Sequence, residues 1–167
     1  MRVIVNSTPL IALSLIDQLD LLRQLFEEVV VPTSVYQEIV LHGQGRPGAD
    51  AVAQADWIQI CEPGLQATLP PILLGLDQGE MDVLLLAREL QADLVLIDEK
   101  LGRRIAGILG LRVQGTLGVL LRAYRKHLIS QEEAEAAVQR LANSSVRVSP
   151  RLIQWFREQL TKGTSTE

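Results

Sequence analysis

A single cysteine, Cys61, stands among the 167 residues, so an intrachain disulfide is excluded, as is a structural zinc centre built on cysteine thiolates. A reducing compartment is the simplest setting for such a chain, and the expected localisation is cytoplasmic. Aromatic residues make up only 4% against 47% hydrophobic residues overall, so the core must be filled with Leu, Ile, Val and Ala. Apolar runs such as Val83-Leu-Leu-Leu-Ala87 fall far short of the ~20 residues that cross a bilayer. The start, Met1-Arg-Val-Ile-Val-Asn6, turns polar too early for a signal peptide, and no membrane association is expected. Basic excess is missing too. A net charge of −4 and a pI near 5.3 argue against a passive nucleic-acid binder working by phosphate neutralisation alone. They are compatible with a nuclease, where a metal ion offsets clustered carboxylates.

The pattern of short apolar runs carries the fold class. Val3–Val5, Val29–Val31, Trp57–Ile60, Leu94–Ile97 and Arg112–Gln114 read as strands rich in β-branched residues. Helical spacing separates them: Leu10–Leu15 and Leu19–Phe26 with a break near Asp17, Thr33–Leu41, Asp50–Ala55, Asp77–Leu90, and Leu101–Leu109 closed by Gly110. Gly115-Thr-Leu-Gly118 is assigned as a turn. Three further helices are expected at Val119–His127, Gln131–Leu141 behind a Ser130 cap, and Pro150–Leu160. Strands alternating with helices predict an α/β fold, a central parallel sheet covered on both faces. The expected organisation is an α/β domain over residues 1–121, a C-terminal helical extension over 122–161 packed on the same domain, and a disordered tail over 162–167.

In open α/β sheets ligands bind beyond the carboxyl ends of the strands. Asn6 ends the first strand and Asp98 the fourth, Glu80 opens the helix feeding that fourth strand, and Glu38 sits on the helix after the second. Carboxylates gathered in one crevice raise each other's pKa, and a hard divalent cation relieves that repulsion. Metal-assisted phosphodiester hydrolysis is the chemistry that fits. Each residue also has a plainer reading: a helix cap for Glu80, a turn for Asp98 and Asn6, a solvated helix face for Glu38. Ser7 and Thr8 suit either helix capping or a phosphate oxygen. Lys100, Arg103 and Arg104 suit either a solvated face or an RNA backbone. His42 and His127 read as surface residues. Trp57 and Trp155 read as packing residues, and Trp155-Phe156 on the amphipathic last helix also suit a dimer or partner contact.

Four segments together resemble the PIN-domain family. These are Val3-Ile-Val-Asn-Ser-Thr-Pro-Leu-Ile-Ala-Leu13, Val31-Pro-Thr-Ser-Val-Tyr-Gln-Glu-Ile39, Leu76-Asp-Gln-Gly-Glu-Met-Asp-Val-Leu-Leu-Leu-Ala87 and Asp93-Leu-Val-Leu-Ile-Asp-Glu-Lys100. Over about Met1–Leu121 they resemble a PIN-like subgroup related to the toxins of VapBC-type toxin–antitoxin pairs. The resemblance implies a three-layer α/β fold and a Mg²⁺- or Mn²⁺-dependent endoribonuclease. It also implies an RNA substrate, a homodimer or higher homo-oligomer, and restraint by a small antitoxin protein. It assigns metal ligation to Asn6, Glu38, Glu80 and Asp98, catalysis to the three acids, and leaves Asp82 as second choice to Glu80. One departure matters: the first position, commonly Asp in the family, is Asn6 here. An amide oxygen can ligate a cation but brings no charge and cannot act as a base. The alternative reading is a catalytically weakened PIN-like protein that binds protein or RNA.

Overall fold

Val3, Ile4 and Val5 have no exposed surface, and Val29, Val30 and Val31 almost none. Strands so buried on both faces belong inside a parallel sheet. In the computed structural model, which describes residues 1–65 and 69–163, they are β1 (Arg2–Val5) and β2 (Glu28–Pro32). With β3 (Ile58–Cys61), β4 (Leu94–Leu96) and β5 (Val113–Gln114) they form one five-stranded sheet, every pairing parallel, in the order β3-β2-β1-β4-β5. The chain thus reverses its direction of travel across the sheet between β1 and β4. Val5 lies opposite Leu96 there, and the amide of Asn6 donates to the Leu96 carbonyl at 3.0 Å, so Asn6 and the residues after Leu96 leave the sheet side by side.

Helices α1 (Ser7–Leu15) and α2 (Leu21–Leu25) connect β1 to β2, with the chain turning at Asp17 in a left-handed conformation, φ 55°. A short helix, α3 (Thr33–Tyr36), runs straight into a π-helical turn over Gln37–Leu41, widening the segment that carries Glu38. After α4 (Ala49–Gln54) and β3, a 3₁₀ turn (Pro71–Leu73) leads to α5 (Gln78–Glu89). Helices α3 and α5 pack on each other and on the sheet, whereas α2 lies between β2 and α7. The helix α6 (Lys100–Ile108) follows β4 and ends at Gly110, whose φ of +75° is a conformation costly to any residue with a Cβ.

The segment Thr116–Gly118, expected as a turn, is instead the first turn of α7 (Thr116–Arg125), with Gly115 in the N-cap position. Asp98 explains the early start, because its carboxylate receives the Thr116 amide, one of the unpaired donors at the helix end. Residue 121, the expected boundary, falls within α7. Helices α8 (Gln131–Ala142) and α9 (Pro150–Gly163) pack on α7 and on each other. Leu120, Val138, Leu141 and Phe156 are fully buried in the same cluster as the strand residues. Phe156 is therefore core, not contact surface, and burying such a side chain contributes ~1.5–3 kcal/mol. Trp155 is 41% exposed and Leu152 50%, one turn apart on the outer face of α9. The helix includes Lys162 and Gly163; the rest of the expected tail, 164–167, lies outside the described residues, as do 66–68 of the connector. Among the described residues no helix is long and apolar enough to cross a membrane.

Candidate active site

The crossing point between β1 and β4 is where an open α/β sheet offers a crevice, and the side chains there are mostly oxygen donors. Asn6 is 2% exposed and holds the N-cap position of α1, yet its side chain does not cap the helix. Its amide nitrogen donates to Glu99 at 3.3 Å, and its Oδ1 is buried with no hydrogen-bond donor. A buried acceptor without a partner costs ~1–3 kcal/mol, so something must compensate it. The Thr8 hydroxyl donates to the other oxygen of Glu99. Ser7, the first residue of α1, stays half-buried beside them.

Across the crevice, α5 begins with a reciprocal cap. Asp77 Oδ1 accepts from the Glu80 amide at 2.8 Å, and Glu80 Oε2 accepts from the Asp77 amide at 3.1 Å. The plain capping reading of Glu80 thus holds for one oxygen. The other, Oε1, lies 3.0 Å from where a methyl on Gly102 of α6 would stand. A methyl on Gly79 would come 3.6 Å from Asn6 Oδ1, which places the start of α5 against the orphaned amide oxygen. Absence of side chains at both glycines lets α5 and α6 close on the site.

Burial chiefly, opposed by the Asp77 amide and supported by the charges of Asp77 and Glu99, pushes the Glu80 carboxyl upward. Glu38 reaches in from the π-helical turn. It is exposed, but partial desolvation and then Asp77 and Glu99 raise its pKa as well. Ser34 and Gln78 donate to the two oxygens of Asp82.

Asp98 is engaged by the start of α7. Thr116 occupies both of its oxygens, the amide at 2.8 Å and the hydroxyl at 2.6 Å. Burial raises its pKa, while the Thr116 hydrogen bonds and Arg103 pull the other way. The residue that faces Asn6 and Thr8 is its neighbour Glu99. Glu99 holds the N-cap position of α6 and meets Asn6 and Thr8, while Asp98 braces α7. Glu99 and Asp77 were missed by sequence reasoning. The Asp98-Glu99 doublet at a strand end was the available signal. Arg103 donates to the Ile97 carbonyl at 3.1 Å and, with Lys100 and Arg104, lines a cleft of about 600 Å³ beyond Asp98. His42 and His127 are exposed.

Among the described residues, no three His, Cys, Asp or Glu side chains form a cluster tight enough to enclose a metal. The array is an open one, and its donor chemistry fits a hard divalent cation: a partnerless amide oxygen beside carboxylates whose charges repel. The raised carboxyls have a measurable consequence. Their protonation favours the folded state, a stabilisation complete below the unfolded carboxyl values and lost as pH rises through the elevated folded ones. A divalent cation bound there would substitute for those protons at neutral pH. Mn²⁺ at about 100 times its dissociation constant should stabilise by roughly 2.7 kcal/mol, or about 5–10 °C in melting temperature, at pH 7.5, and by much less at pH 5. Equal shifts at both pH values in a thermal melt would dissociate the cation from these carboxyls.

Compared with curated proteins, the chain finds no match. The family model DUF3368, a PIN domain, matches residues 2–162. PIN domains are a nuclease-type fold, generally hydrolases, and typically use divalent metals. The parallel sheet, its crossing-point crevice and that near-complete match agree, and the chain belongs to the PIN-domain family.

Proposed function

We propose that this chain is a Mg²⁺- or Mn²⁺-dependent endoribonuclease. The observation that carries the reading is the buried, partnerless Oδ1 of Asn6, set among repelling carboxylates at the sheet's crossing point. Asn6 Oδ1, Glu38, Glu80 and Glu99 are the donors that would hold the cation. Once bound, it supplies positive charge against a phosphate and lowers the pKa of water. The side chains do the rest. Thr8 and Asn6 fix Glu99 by donating to its two oxygens. Asp77 fixes Glu80 by donating its amide to one oxygen, which leaves the other for the cation. Asp98 ties the end of β4 to α7 through Thr116 and so sets the direction of Glu99. In the net reaction water's oxygen bonds to phosphorus, the ester P–O bond breaks, and the departing oxygen takes a proton.

The purified protein should cleave an oligoribonucleotide in the presence of Mn²⁺ or Mg²⁺ and lose that activity in EDTA. Cleavage undiminished by EDTA would remove the basis for the reading. A second reading, a weakened PIN-like module that binds RNA or protein, is favoured by Asn6 itself. Its amide adds no charge and uses one Glu99 oxygen. The toxin role, a small antitoxin protein as partner, a cytoplasmic setting and homo-oligomer formation through the face bearing Leu152 and Trp155 belong to the same proposal.

A further inference from the structure

The segment between α8 and α9 lies against the acidic crevice. Its sequence, Ser145-Val-Arg-Val-Ser149, alternates: Val146 and Val148 are half-buried against the core, whereas Ser145, Arg147 and Ser149 are exposed. Both ends are fixed. The Ser144 hydroxyl donates to the Leu141 carbonyl at 2.7 Å and accepts from the Val146 amide at 3.1 Å. At the far end Ser149 Oγ accepts from the Leu152 amide at 3.3 Å at the start of α9. Arg147 is thus carried on an anchored strap, not on a loose loop.

A cavity of about 420 Å³ separates this strap from the crevice, lined by Thr8, Asp98, Glu99, Ser145 and Arg147 among others. Among the described residues Arg147 has no ion pair or hydrogen bond, although Glu99 borders the same space. Asn6 and Thr8 already donate to both Glu99 oxygens. The guanidinium is left with its planar fork of donors open, the geometry that receives a phosphate in two parallel hydrogen bonds. On the other side of Asp98, Lys100, Arg103 and Arg104 line the second cleft. An acidic centre with cations on both flanks is what a polyanion needs if a chain of net charge −4 is to hold it.

We infer that the strap is one wall of the substrate groove and that Arg147 grips a backbone phosphate of a single RNA strand, opposite the cations of α6. The inference rests on the nuclease reading above and adds a substrate-binding residue to it. It is tested with a fluorescein-labelled oligoribonucleotide, by anisotropy across a salt series without divalent cation and by cleavage kinetics with Mn²⁺. Arg147→Gln should raise KM and Kd about tenfold, leave kcat within about twofold, and lower the slope of log Kd against log salt by about 0.7, one single-strand phosphate contact. Arg147→Lys should keep the slope and recover part of the affinity. Melting temperatures equal to wild type exclude a folding defect. Unchanged KM, Kd and slope in Arg147→Gln, while the wild type cleaves, overturn the role of Arg147 and leave the nuclease reading intact. A wild type that neither binds nor cleaves the RNA overturns both.

Discussion

Glu99→Gln is expected to lower Mn²⁺-dependent RNA cleavage by about 10²–10⁴-fold, whereas Asp98→Asn should cost only about 10–100-fold. The two acids are adjacent in sequence and differ in what they touch. Glu99 is fixed by Asn6 and Thr8 at the mouth of the crevice, where its charge raises the pKa of both Glu38 and Glu80. Removing that charge takes away a donor for the cation and relaxes the two carboxyls together. Asp98 gives both oxygens to Thr116. An asparagine there still accepts from the Thr116 amide and can turn its own NH₂ toward the hydroxyl, so α7 keeps its start. What it loses is the charge on those hydrogen bonds, which are stronger when the acceptor is ionised. The comparison is made by kcat/KM of both variants beside their melting temperatures. An Asp98→Asn variant that loses more activity than Glu99→Gln, at unchanged stability, would return the fourth acid to Asp98.

Most of the fold was legible because strand and helix signals here are unmixed. Val3–Val5 and Val29–Val31 are β-branched runs with sharp polar ends, and each became an inner strand of the sheet. Ser130 followed by Glu133 was legible as a cap for the same local reason: the reciprocal bonds form within one turn, at 3.1 Å and 2.7 Å. The start of α7 was not legible. Gly115 and Gly118 look like turn residues, and only the long-range bond from Asp98 reveals that Thr116 begins a helix. The site divides along the same line. That Asn6 follows β1 and that Glu80 stands in the first turn of α5 was legible from position. The choice of Glu99 over Asp98 to face Asn6 depends on which way the chain turns after Leu96, and sequence spacing cannot distinguish two consecutive acids. The hydrogen bond from Ser34 to Asp82 joins residues 48 positions apart, and spacing alone does not show it.

Asn6→Asp is the substitution that should most change the relation between stability and cation binding. At 2% exposure the new carboxylate would replace the amide nitrogen that donates to Glu99 at 3.3 Å, turning an attraction into a contact between two anions. Without a divalent cation the cost should be about 3 kcal/mol or more, a fall of roughly 6–12 °C in melting temperature at neutral pH. The pair would share a proton, so the deficit should shrink on acidification, as for any carboxyls held close. Mn²⁺ should reverse it: each anionic ligand added to an oxygen site tightens it, and at least a tenfold gain in affinity is expected. Cleavage should rise with it if Asn6 limits the present site. Melting curves with and without Mn²⁺, paired with the cleavage assay, separate these effects. A variant as stable as wild type in EDTA, with the same Mn²⁺ affinity, would mean that position 6 does not face the carboxylates as an oxygen donor. The orphaned Oδ1 would then lose its part in cation binding. A variant that binds Mn²⁺ more tightly yet cleaves no faster would favour the binding-module reading, since the charge would be restored without the reaction.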